Sequence, residues 1–363
     1  MYKKNKLLFV LPSFGLGGAE KNTLFLANYY VNIGYDVAIV VIINDIKLKE
    51  KLSPLVKFFN LNKIKMRNGL IPLIKILRAY KPTTVYVNLW PITLISLIAK
   101  FLAFNDAKFI FVEHINLRLG LEKSTKLEKL IAKISHFTFR LINANFIAVS
   151  QGVKNDLVNY YKLQDRNVKV IYNPVITSLP TKYNLSSNRF DNFICEIKIL
   201  AIGNLKIQKD YDNLISSISI LKDRGLNVRC NIIGEGEERI RLERLINHLN
   251  LQNNIKLLGQ LIDVEEYYIT ADVFVLSSAY EGLGNVLIEA LSYGCRIVST
   301  DCESGPREIL KDGMYGFIVE KGNPVALANG IEKSLSYKID QIALRKRSLD
   351  FLVSKIGTEY LDI

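Results

Sequence analysis

The feature that most constrains the fold is a repeated alternation between short, apolar, β-rich runs and longer amphipathic stretches. Helical patterns at residues 19–32 and 123–143 lie between some of these runs. Continuously apolar strands separated by helices are typical of parallel sheets that carry helices on both faces. The strands predicted for the first half are Leu7–Leu11, Val37–Ile43, Val85–Asn88, Phe109–Glu113, Phe146–Val149 and Val168–Ile171.

The alternation restarts after a polar, turn-rich stretch, Thr177–Asn192. A chain of 363 residues is also too long for one ordinary core. We therefore predict an α/β protein with two doubly wound, Rossmann-like domains facing across a cleft, at residues 1–176 and 193–345. A helix within residues 346–363 would either close the second domain or cross back to the first. The strands predicted for the second half are Ile197–Ile202, Val228–Ile233, Ile255–Leu258, Val273–Leu276, Arg296–Thr300 and Gly316–Val319.

Charge is distributed very unevenly between the two halves. Residues 1–180 hold 26 Lys/Arg and 10 Asp/Glu, a net charge of +16, whereas residues 181–363 hold 22 and 25, a net charge of −3. An excess confined to one half favours an anionic partner for that half: a membrane surface, a nucleic acid or a phosphorylated substrate. The alternative is that lysine simply solvates the surface, although this does not explain why the excess stops near residue 180.

Much of the basic excess lies in two amphipathic segments, Leu61–Pro82 and Lys123–Ala144. Basic amphipathic helices suit the interfacial plane of an anionic membrane, and the first segment favours this interpretation more than the second. The alternative is that both are ordinary sheet-covering helices with lysine on their solvated faces. The cations are Lys63, Lys65, Arg67, Lys75, Arg78 and Lys81 in the first segment and Lys126, Lys129 and Lys133 in the second.

The apolar runs are too short for export or membrane insertion. The N-terminal run ends before Pro12, short of the about 7–15 residues that a signal peptide needs. The most apolar later stretch, Ile92–Phe104, is shorter than the ~20 residues that span a bilayer. The cysteines form no CxxC pair and have no histidine at metal-ligand spacing, so we predict reduced, mostly buried thiols in a cytosolic protein. They are Cys195, Cys230, Cys295 and Cys302.

Ligands of open α/β sheets bind outside the carboxyl ends of the strands, so the loops that follow the predicted strands are the candidate sites. After the first strand, Gly17 and Gly18 lead into a helix N-terminus, where backbone N–H groups can meet an anion. Glu20 falls where the dinucleotide fingerprint requires a third glycine, which disfavours NAD. A tight strand–helix turn explains these glycines equally well. His114 also follows a predicted strand directly, and a structural or a functional role fits it equally well.

In the second half, Lys206 and Lys209 precede a predicted helix, where a lysine can meet a phosphate or simply be solvated. Glu281 lies in the loop after another strand, and Glu289 lies about one turn into the helix that follows. Glu289 therefore either points to solvent or forms a hydrogen bond in the cleft. The backbone N–H groups of Leu283–Val286 would form a helix N-terminus suited to a pyrophosphate.

An ordered set of motifs spanning nearly the whole chain resembles the retaining family 4 glycosyltransferases of the GT-B fold. The central motif is E-x7-E at Glu281 and Glu289. The others are GGAE at Gly17–Glu20, EH at Glu113–His114, AVSQGVKNDL at Ala148–Leu157, IYNPV at Ile171–Val175, QKDYDNLI at Gln208–Ile215, LLGQ at Leu257–Gln260, SGPREIL at Ser304–Leu310 and DGMYGFIV at Asp312–Val319.

The resemblance implies a role for each matching position. Glu289 would bind the donor ribose, and Glu281 the hydroxyls of the transferred sugar. Lys209 would hold the diphosphate together with the loop residues Gly282, Leu283, Gly284, Asn285 and Val286. Gly259 would lie where the base is bound, Gly17 and Gly18 would border the diphosphate and the acceptor, and His114 would lie near the reacting sugar. No metal ion or other cofactor is expected.

One position departs from the pattern. Asn204 stands where the family usually has a phosphate-binding arginine. Lys206 could replace the charge, but it could not replace the bidentate geometry of a guanidinium group.

The resemblance implies a hexosyl- or N-acetylhexosaminyltransferase that uses a nucleotide sugar, with UDP as the expected nucleotide. Its acceptor would be a glycan or a lipid-diphosphate-linked glycan in polysaccharide, lipopolysaccharide or capsule synthesis. The basic half would dock on the anionic cytoplasmic face of the inner membrane, as a peripheral protein that binds no nucleic acid. A GT-B-fold sugar-nucleotide epimerase and a non-catalytic protein that binds anionic polymers are the alternatives.

Overall fold

A computed structural model of the chain describes residues 5–90, 92–121, 125–183 and 196–363. The chain divides into two compact units: a first unit of Met1–Thr177 with Val353–Ile363, and a second unit of Ser178–Leu352. Each unit is built on one sheet in which the strands pair in parallel. The predicted α/β architecture with two Rossmann-like sheets is thereby confirmed. Most of the stretch predicted as a linker, residues 184–192, lies outside the described residues, as does Cys195.

The sheet of the first unit has seven strands. They are β1 (Lys6–Leu11), β2 (Asp36–Val41), β3 (Lys57–Asn60), β4 (Thr84–Asn88), β5 (Lys108–Glu113), β6 (Asn145–Ala148) and β7 (Val168–Val170). Their order across the sheet is β3-β2-β1-β4-β5-β6-β7. The sequence patterns do not predict β3, because this short edge strand is only partly buried and therefore lacks a continuous apolar run.

The helices of the first unit cover both faces of this sheet. They are α1 (Gly18–Asn32), α2 (Leu70–Tyr80), α3 (Ile92–Ala103), α4 (Leu117–Gly120), α5 (Lys126–Leu141), α6 (Gln151–Asn155) and, from the end of the chain, α14 (Val353–Leu361). A capping box begins α5: Thr125 Oγ1 accepts from the backbone N–H of Glu128, and the Glu128 carboxylate accepts from that of Thr125.

Aromatic side chains show which helices cover which face. On one face, Phe9 of β1 stacks on Tyr86 of β4 at 5.2 Å, and Tyr86 lies 5.6 Å from Tyr360 of α14. On the opposite face, Phe111 of β5 lies 4.7 Å from Phe139 of α5. The chain passes from β3 to β4, β5 and β6 in one direction across the sheet. Right-handed crossovers therefore place α2, α3 and α5 together on the second face.

The last helix belongs to the first unit. Tyr30 Oη donates to the carbonyl of Gly357, and Tyr86 Oη donates to the carbonyl of Tyr360, both at 2.8 Å. Both phenols are buried, so these bonds satisfy groups that would otherwise be costly to remove from water. The sequence left open whether this helix closes the second domain or crosses back to the first. In the structure it crosses back to the first unit.

The sheet of the second unit has six strands. They are β8 (Ile197–Ile202), β9 (Val228–Ile233), β10 (Ile255–Leu257), β11 (Val273–Leu276), β12 (Arg296–Thr300) and β13 (Phe317–Val319). Their order is β10-β9-β8-β11-β12-β13, and their bounds differ from the predicted ones by at most one residue. The helices are α7 (Tyr211–Asp223), α8 (Arg239–His248), α9 (Glu265–Thr270), α10 (Asn285–Ser292), α11 (Pro306–Leu310), α12 (Pro324–Ser336) and α13 (Gln341–Ser348).

Two further predictions can be compared with the described residues. Cys230, Cys295 and Cys302 are buried free thiols, as predicted for them. Among the helices of the described ranges, none combines the length and the apolar character needed to cross a membrane.

Candidate functional site

Three glycines meet at the carboxyl edge of the second sheet. Gly203 follows β8, Gly234 follows β9, and Gly259 comes shortly after β10. The N–H of Gly234 donates to the carbonyl of Gly259 at 2.9 Å. A Cβ on Gly234, whose φ is +150°, would lie 2.0 Å from the carbonyl oxygen of Gly203. The edge is therefore bare backbone, and the close approach of the Gly203 carbonyl requires glycine at residue 234.

Lys209 lies directly over this bare edge. A Cβ on Gly203 would lie 2.9 Å from Lys209 Cε, so the absence of a side chain at residue 203 makes room for the lysine stem. Lys209 ends a short 3₁₀ turn, and Asp210 follows with a φ of +45° before α7 begins. This turn directs the ammonium group toward the loop after β11.

An ion pair joins Lys209 to Glu281, with Nζ 2.5 Å from Oε1. Both side chains are largely buried, with 16% and 7% of their surfaces exposed. Two adjacent hydroxyl groups at the end of β11 brace the pair. Ser278 Oγ donates to Glu281 Oε1 at 2.7 Å, and Ser277 Oγ donates to the carbonyl of Lys209 at 2.8 Å. The charges are thus held in place by neutral donors on a strand end.

Sequence reasoning did not identify the two serines. The available signal was a pair of hydroxyl residues directly after an apolar strand, in front of a predicted site acid. Gly234 was also missed, because an ordinary turn explains a glycine directly after a strand equally well.

The loop between Glu281 and α10 requires a glycine at one position. Gly284, which precedes the helix, has a left-handed φ of +94°. A Cβ there would lie 3.9 Å from Glu281 Cγ, so the carboxylate lies beside the helix N-terminus. The predicted diphosphate segment, Gly282–Val286, therefore runs from the loop into the first residues of α10, whose N-terminus carries a partial positive charge.

Glu289 is bonded to a buried tyrosine rather than pointing only to solvent. Tyr268 Oη donates to Glu289 Oε2 at 2.8 Å. Burial and the charge of Glu289 raise the pKa of Tyr268 well above its usual range, so the phenol remains a donor. Tyr293 stacks on the Tyr268 ring with the centroids 5.0 Å apart. Sequence reasoning missed Tyr268, which lies 21 residues before Glu289.

The structure brings together four of the predicted elements in the second unit: Lys209, Glu281, the start of α10 and, one turn further along that helix, Glu289. Asn204 and Lys206 are exposed in the loop after β8. Their side chains are not part of the buried ion pair.

In the first unit, the predicted glycines lie at the start of α1. Gly17 caps the helix and Gly18 is its first residue. A Cβ on Gly17 would lie 2.4 Å from Oε2 of Glu20, whose Oε1 accepts a hydrogen bond from Ser13 at 3.2 Å. The Glu20 carboxylate thus lies directly against the glycine turn at the start of α1.

His114 lies at the carboxyl edge of the same sheet. Its Nε2 is 2.9 Å from Oδ1 of Asn88, and burial lowers the pKa of the imidazole to about 4. The preceding Glu113 is fully buried, and burial together with the charge of Asp156 raises its pKa to about 8. The Glu–His pair is therefore neutral near pH 7 and can form hydrogen bonds without adding charge.

No group of three or more His, Cys, Asp or Glu side chains is positioned to hold a metal ion among the residues described here. The expectation that no metal or cofactor takes part stays a prediction.

Each unit matches a family of known proteins. Residues 16–179 match the family model described as Glycosyltransferase Family 4, and residues 188–348 match the one described as Glycosyl transferases group 1. Neither match alone spans half of the chain. Together the two matches cover most of both units, and both models describe glycosyltransferases.

Two curated relatives are similar in sequence. An uncharacterized glycosyltransferase of Methanocaldococcus jannaschii is 31% identical over 65% of this chain and 60% of its own length. The N-acetylgalactosamine-N,N'-diacetylbacillosaminyl-diphospho-undecaprenol 4-alpha-N-acetylgalactosaminyltransferase of Campylobacter jejuni is 30% identical over 51% of this chain and 49% of its own length. The chain thus matches about half to three-fifths of the length of these relatives.

A solved structure extends the likeness over the whole chain. Anabaena HepE in complex with UDP and glucose superposes with a TM-score of 0.80, covering 99% of this chain and 98% of its own, at 22% sequence identity. At that identity the likeness shows the fold, which is GT-B.

Proposed function

We propose that this chain is a retaining glycosyltransferase that moves a hexose or N-acetylhexosamine from a nucleotide diphosphate sugar to a glycan or lipid-diphosphate-linked acceptor. The observation that carries the proposal is the Lys209–Glu281 ion pair beside the start of α10. It combines a cation and a helix N-terminus for an anionic leaving group with a carboxylate for sugar hydroxyls. The retaining outcome rests on the resemblance of the Glu281–Glu289 spacing to the family motif.

In the proposed reaction, the bond between the sugar C1 and the donor phosphate oxygen breaks, and an acceptor hydroxyl oxygen forms the new bond to C1. The acceptor proton passes to the departing phosphate. Lys209 and the N-terminus of α10 offset the negative charge that the diphosphate gains as it leaves. Glu281 accepts hydrogen bonds from the sugar and holds Lys209 in position.

Glu289 would hold the other end of the donor. A carboxylate oriented by Tyr268 accepts strongly from ribose hydroxyls. The base would lie at the adjacent edge of the sheet, beside Gly203, Gly234 and Gly259. UDP is the proposed nucleotide, and a structure of HepE contains UDP.

The acceptor class follows from a different observation. The Campylobacter jejuni relative is named as acting on a diphospho-undecaprenol glycan, which supports a lipid-diphosphate-linked acceptor here. The basic first half, with its net charge of +16, would bring the enzyme to an anionic membrane surface where such acceptors lie. Polysaccharide or glycoconjugate synthesis at the cytoplasmic face of the inner membrane is the proposed setting, and metal ions are not required.

The test is to incubate the chain with a panel of radiolabelled nucleotide sugars and a membrane extract. We expect one donor to be consumed and its label to appear in a glycan, with the anomeric configuration of the donor retained in the product. Loss of this transfer in Glu281→Gln, at a temperature where circular dichroism shows that the variant is still folded, would link it to the proposed site. Consumption of no donor would refute the transferase, interconversion of the sugar without transfer would favour an epimerase, and an inverted product would refute retention.

A further inference from the structure

Helix α5 is apolar on two opposite sides. At about 100° per residue, Ala132, His136 and Phe139 fall on one side of the helix and are buried against the first sheet. The opposite side carries a second stripe at helical spacing, and each member is at least half exposed. These residues are Leu130 (53%), Ile134 (54%), Phe137 (61%) and Leu141 (65%). One apolar side is sufficient for the fold, so the second stripe has no role in the core of the unit.

The neighbouring helices extend this apolar surface. Helices α2 and α3 contact each other and cover the same face of the sheet as α5. Lys100 of α3 lies over the ring of Phe109, and Phe139 of α5 contacts Phe111, two residues further along the same strand. The outward apolar residues of α2 and α3 are Ile71, Ile98, Phe101 and Leu102, each 40–67% exposed. We call the outer surface of α2, α3 and α5 the three-helix face.

The charge of the three-helix face is strongly one-sided. Residues 51–105 contain nine Lys/Arg and no Asp/Glu. The three helices together hold seven cations and a single acid, Glu128. The cations are Lys75, Arg78, Lys100, Lys126, Lys129, Lys133 and Arg140.

The helices on the other face of the same sheet provide an internal comparison. Helix α1 has one acid and one base, Glu20 and Lys21, and α14 has Glu359 and Lys355. Among the large exposed apolar side chains of the described residues, none lies in α1 or in α14. The combination of exposed apolar side chains and unbalanced cations is therefore specific to one side of the unit and is not a general property of a lysine-rich chain.

We propose that the three-helix face is a docking surface for an anionic lipid bilayer. The apolar stripe of α5 and the outward residues of α2 and α3 would enter the boundary between headgroups and acyl chains, while the flanking lysines and arginines contact lipid phosphates. Charge complementarity selects this occupant, since a surface with seven cations and one acid repels a second copy of itself. The inference deepens the proposed function by naming the surface that faces the membrane, and it can be tested without catalysis.

The experiment measures binding of the full chain to vesicles of phosphatidylcholine alone and of phosphatidylcholine mixed with phosphatidylglycerol. We expect binding to the mixed vesicles only, weakening as salt is raised. Replacing the cations in Lys126→Gln/Lys129→Gln/Lys133→Gln should weaken it about one hundredfold, because each lysine near the surface contributes about fivefold. The matched control, Lys256→Gln/Lys338→Gln/Lys346→Gln, removes three exposed cations from the second unit and should bind like the wild type.

A second pair of variants tests the apolar stripe. Ile134→Gln/Phe137→Gln should weaken vesicle binding at least about tenfold. Ile240→Gln/Ile342→Gln, which changes exposed residues of the second unit, should not. All four side chains are exposed, so circular dichroism and melting temperature should be unchanged in both variants.

Three outcomes would overturn the proposal: no binding of the wild type to anionic vesicles, equal loss in test and control variants, or unchanged vesicle binding with loss of a dimer in the stripe variant. The last result would identify a contact between copies of the chain. Donor consumption in the absence of vesicles gives a separate readout of the proposed function. If the chain binds vesicles and consumes no donor, the proposed transferase activity is refuted but the proposed docking surface is not.

Discussion

The phenol of Tyr268 donates a hydrogen bond to the carboxylate of Glu289 from inside the core of the second unit, at 2.8 Å. Tyr268 is 1% exposed, whereas Glu289 is only partly buried. A rigid buried donor therefore fixes the orientation of an acid that a ligand can reach. This is how a core residue without surface of its own can influence binding.

Removing the phenol oxygen in Tyr268→Phe should weaken binding of UDP about five- to tenfold, or by about 1–1.4 kcal/mol, because the Glu289 carboxylate loses the hydrogen bond that orients it. Isothermal titration calorimetry on the folded variant measures this change. The matched control is Tyr293→Phe, which removes a hydroxyl from the ring stacked on Tyr268. Equal affinities in Tyr268→Phe and the wild type would show that Glu289 does not need this bond to bind the nucleotide.

Substitutions of Glu289 and Glu281 should affect different kinetic parameters. Glu289→Ala should raise the Kd of the donor, because it removes the proposed ribose contact. Glu281→Ala should mainly lower kcat, because it removes the carboxylate that accepts hydrogen bonds from the transferred sugar. It also removes the ion-pair partner of Lys209. Wild-type donor affinity and turnover in both variants would contradict the proposed site.

The ion pair between Lys209 and Glu281 should also contribute to stability. Because both groups are largely buried, either Lys209→Met or Glu281→Gln alone should lower the free energy of unfolding by about 2–4 kcal/mol. The double variant should lose less than the sum of the two, because it leaves no unpaired buried charge. Urea unfolding of the four proteins gives the coupling energy, and strictly additive losses would mean that the two charges do not interact.

Asn204→Arg should tighten binding of UDP about three- to tenfold. Asn204 is exposed in the loop after β8, so the longer side chain has room to reach the ligand. A guanidinium group can form two parallel hydrogen bonds to a phosphate, which neither asparagine nor Lys206 provides. Asn204→Gln lengthens the side chain without adding charge and serves as the control. An unchanged Kd in the arginine variant would place the phosphate elsewhere.

The free energy of unfolding should decrease as the pH rises, over a range set by the pKa of Glu113. Its pKa is raised to about 8 from 4.5, so the folded chain keeps a proton that the unfolded chain loses. The resulting stabilisation is complete below pH 4.5 and is lost as the pH rises through 8. His114 and His136, whose pKa values burial lowers to about 4 from 6.5, destabilise the fold on acidification instead. Between pH 6.5 and 8 the pH dependence of the free energy of unfolding therefore comes from Glu113 and not from these histidines.

Over that window the free energy of unfolding should decrease by about 1.4 kcal/mol per pH unit in the wild type, from the difference of one bound proton. Glu113→Gln should flatten this dependence, while Glu237→Gln, a change at an exposed site, should keep it. Chemical denaturation at a series of pH values measures the slopes. A slope that persists in Glu113→Gln would assign the proton to another group.

The strands were predictable because each is a short apolar run with turn residues at its ends, and parallel strands covered on both faces need such runs. The edge strand β3 was not predicted, because its residues Lys57–Asn60 are at most partly buried and form no continuous apolar run. The sequence predicts that α5 is basic and amphipathic, although it favours a membrane contact more strongly for the first basic segment, Leu61–Pro82. Which apolar side of α5 contacts the sheet depends on tertiary structure, so the exposed stripe could not be identified from periodicity alone.

The candidate site, like the fold, could be predicted only in part. Lys209 and Glu281 lie 72 residues apart in sequence and meet because β8 and β11 are neighbours in the sheet, a topology that the sequence patterns do not specify. Ser278 and Tyr268 were missed because a serine after a strand and a tyrosine before one have many structural explanations. Their roles follow only from the atoms that their hydroxyl groups contact.

The placement of α14 has a consequence for the order in which this chain can fold during synthesis. The second unit is one continuous segment, Ser178–Leu352, whereas the first needs Val353–Ile363, which the ribosome makes after the second unit. Until then, the hydroxyl groups of Tyr30 and Tyr86 lack the carbonyls of Gly357 and Tyr360, and that face of the sheet lacks a helix. The unit whose synthesis begins first can therefore be completed only after the whole second unit has been synthesised.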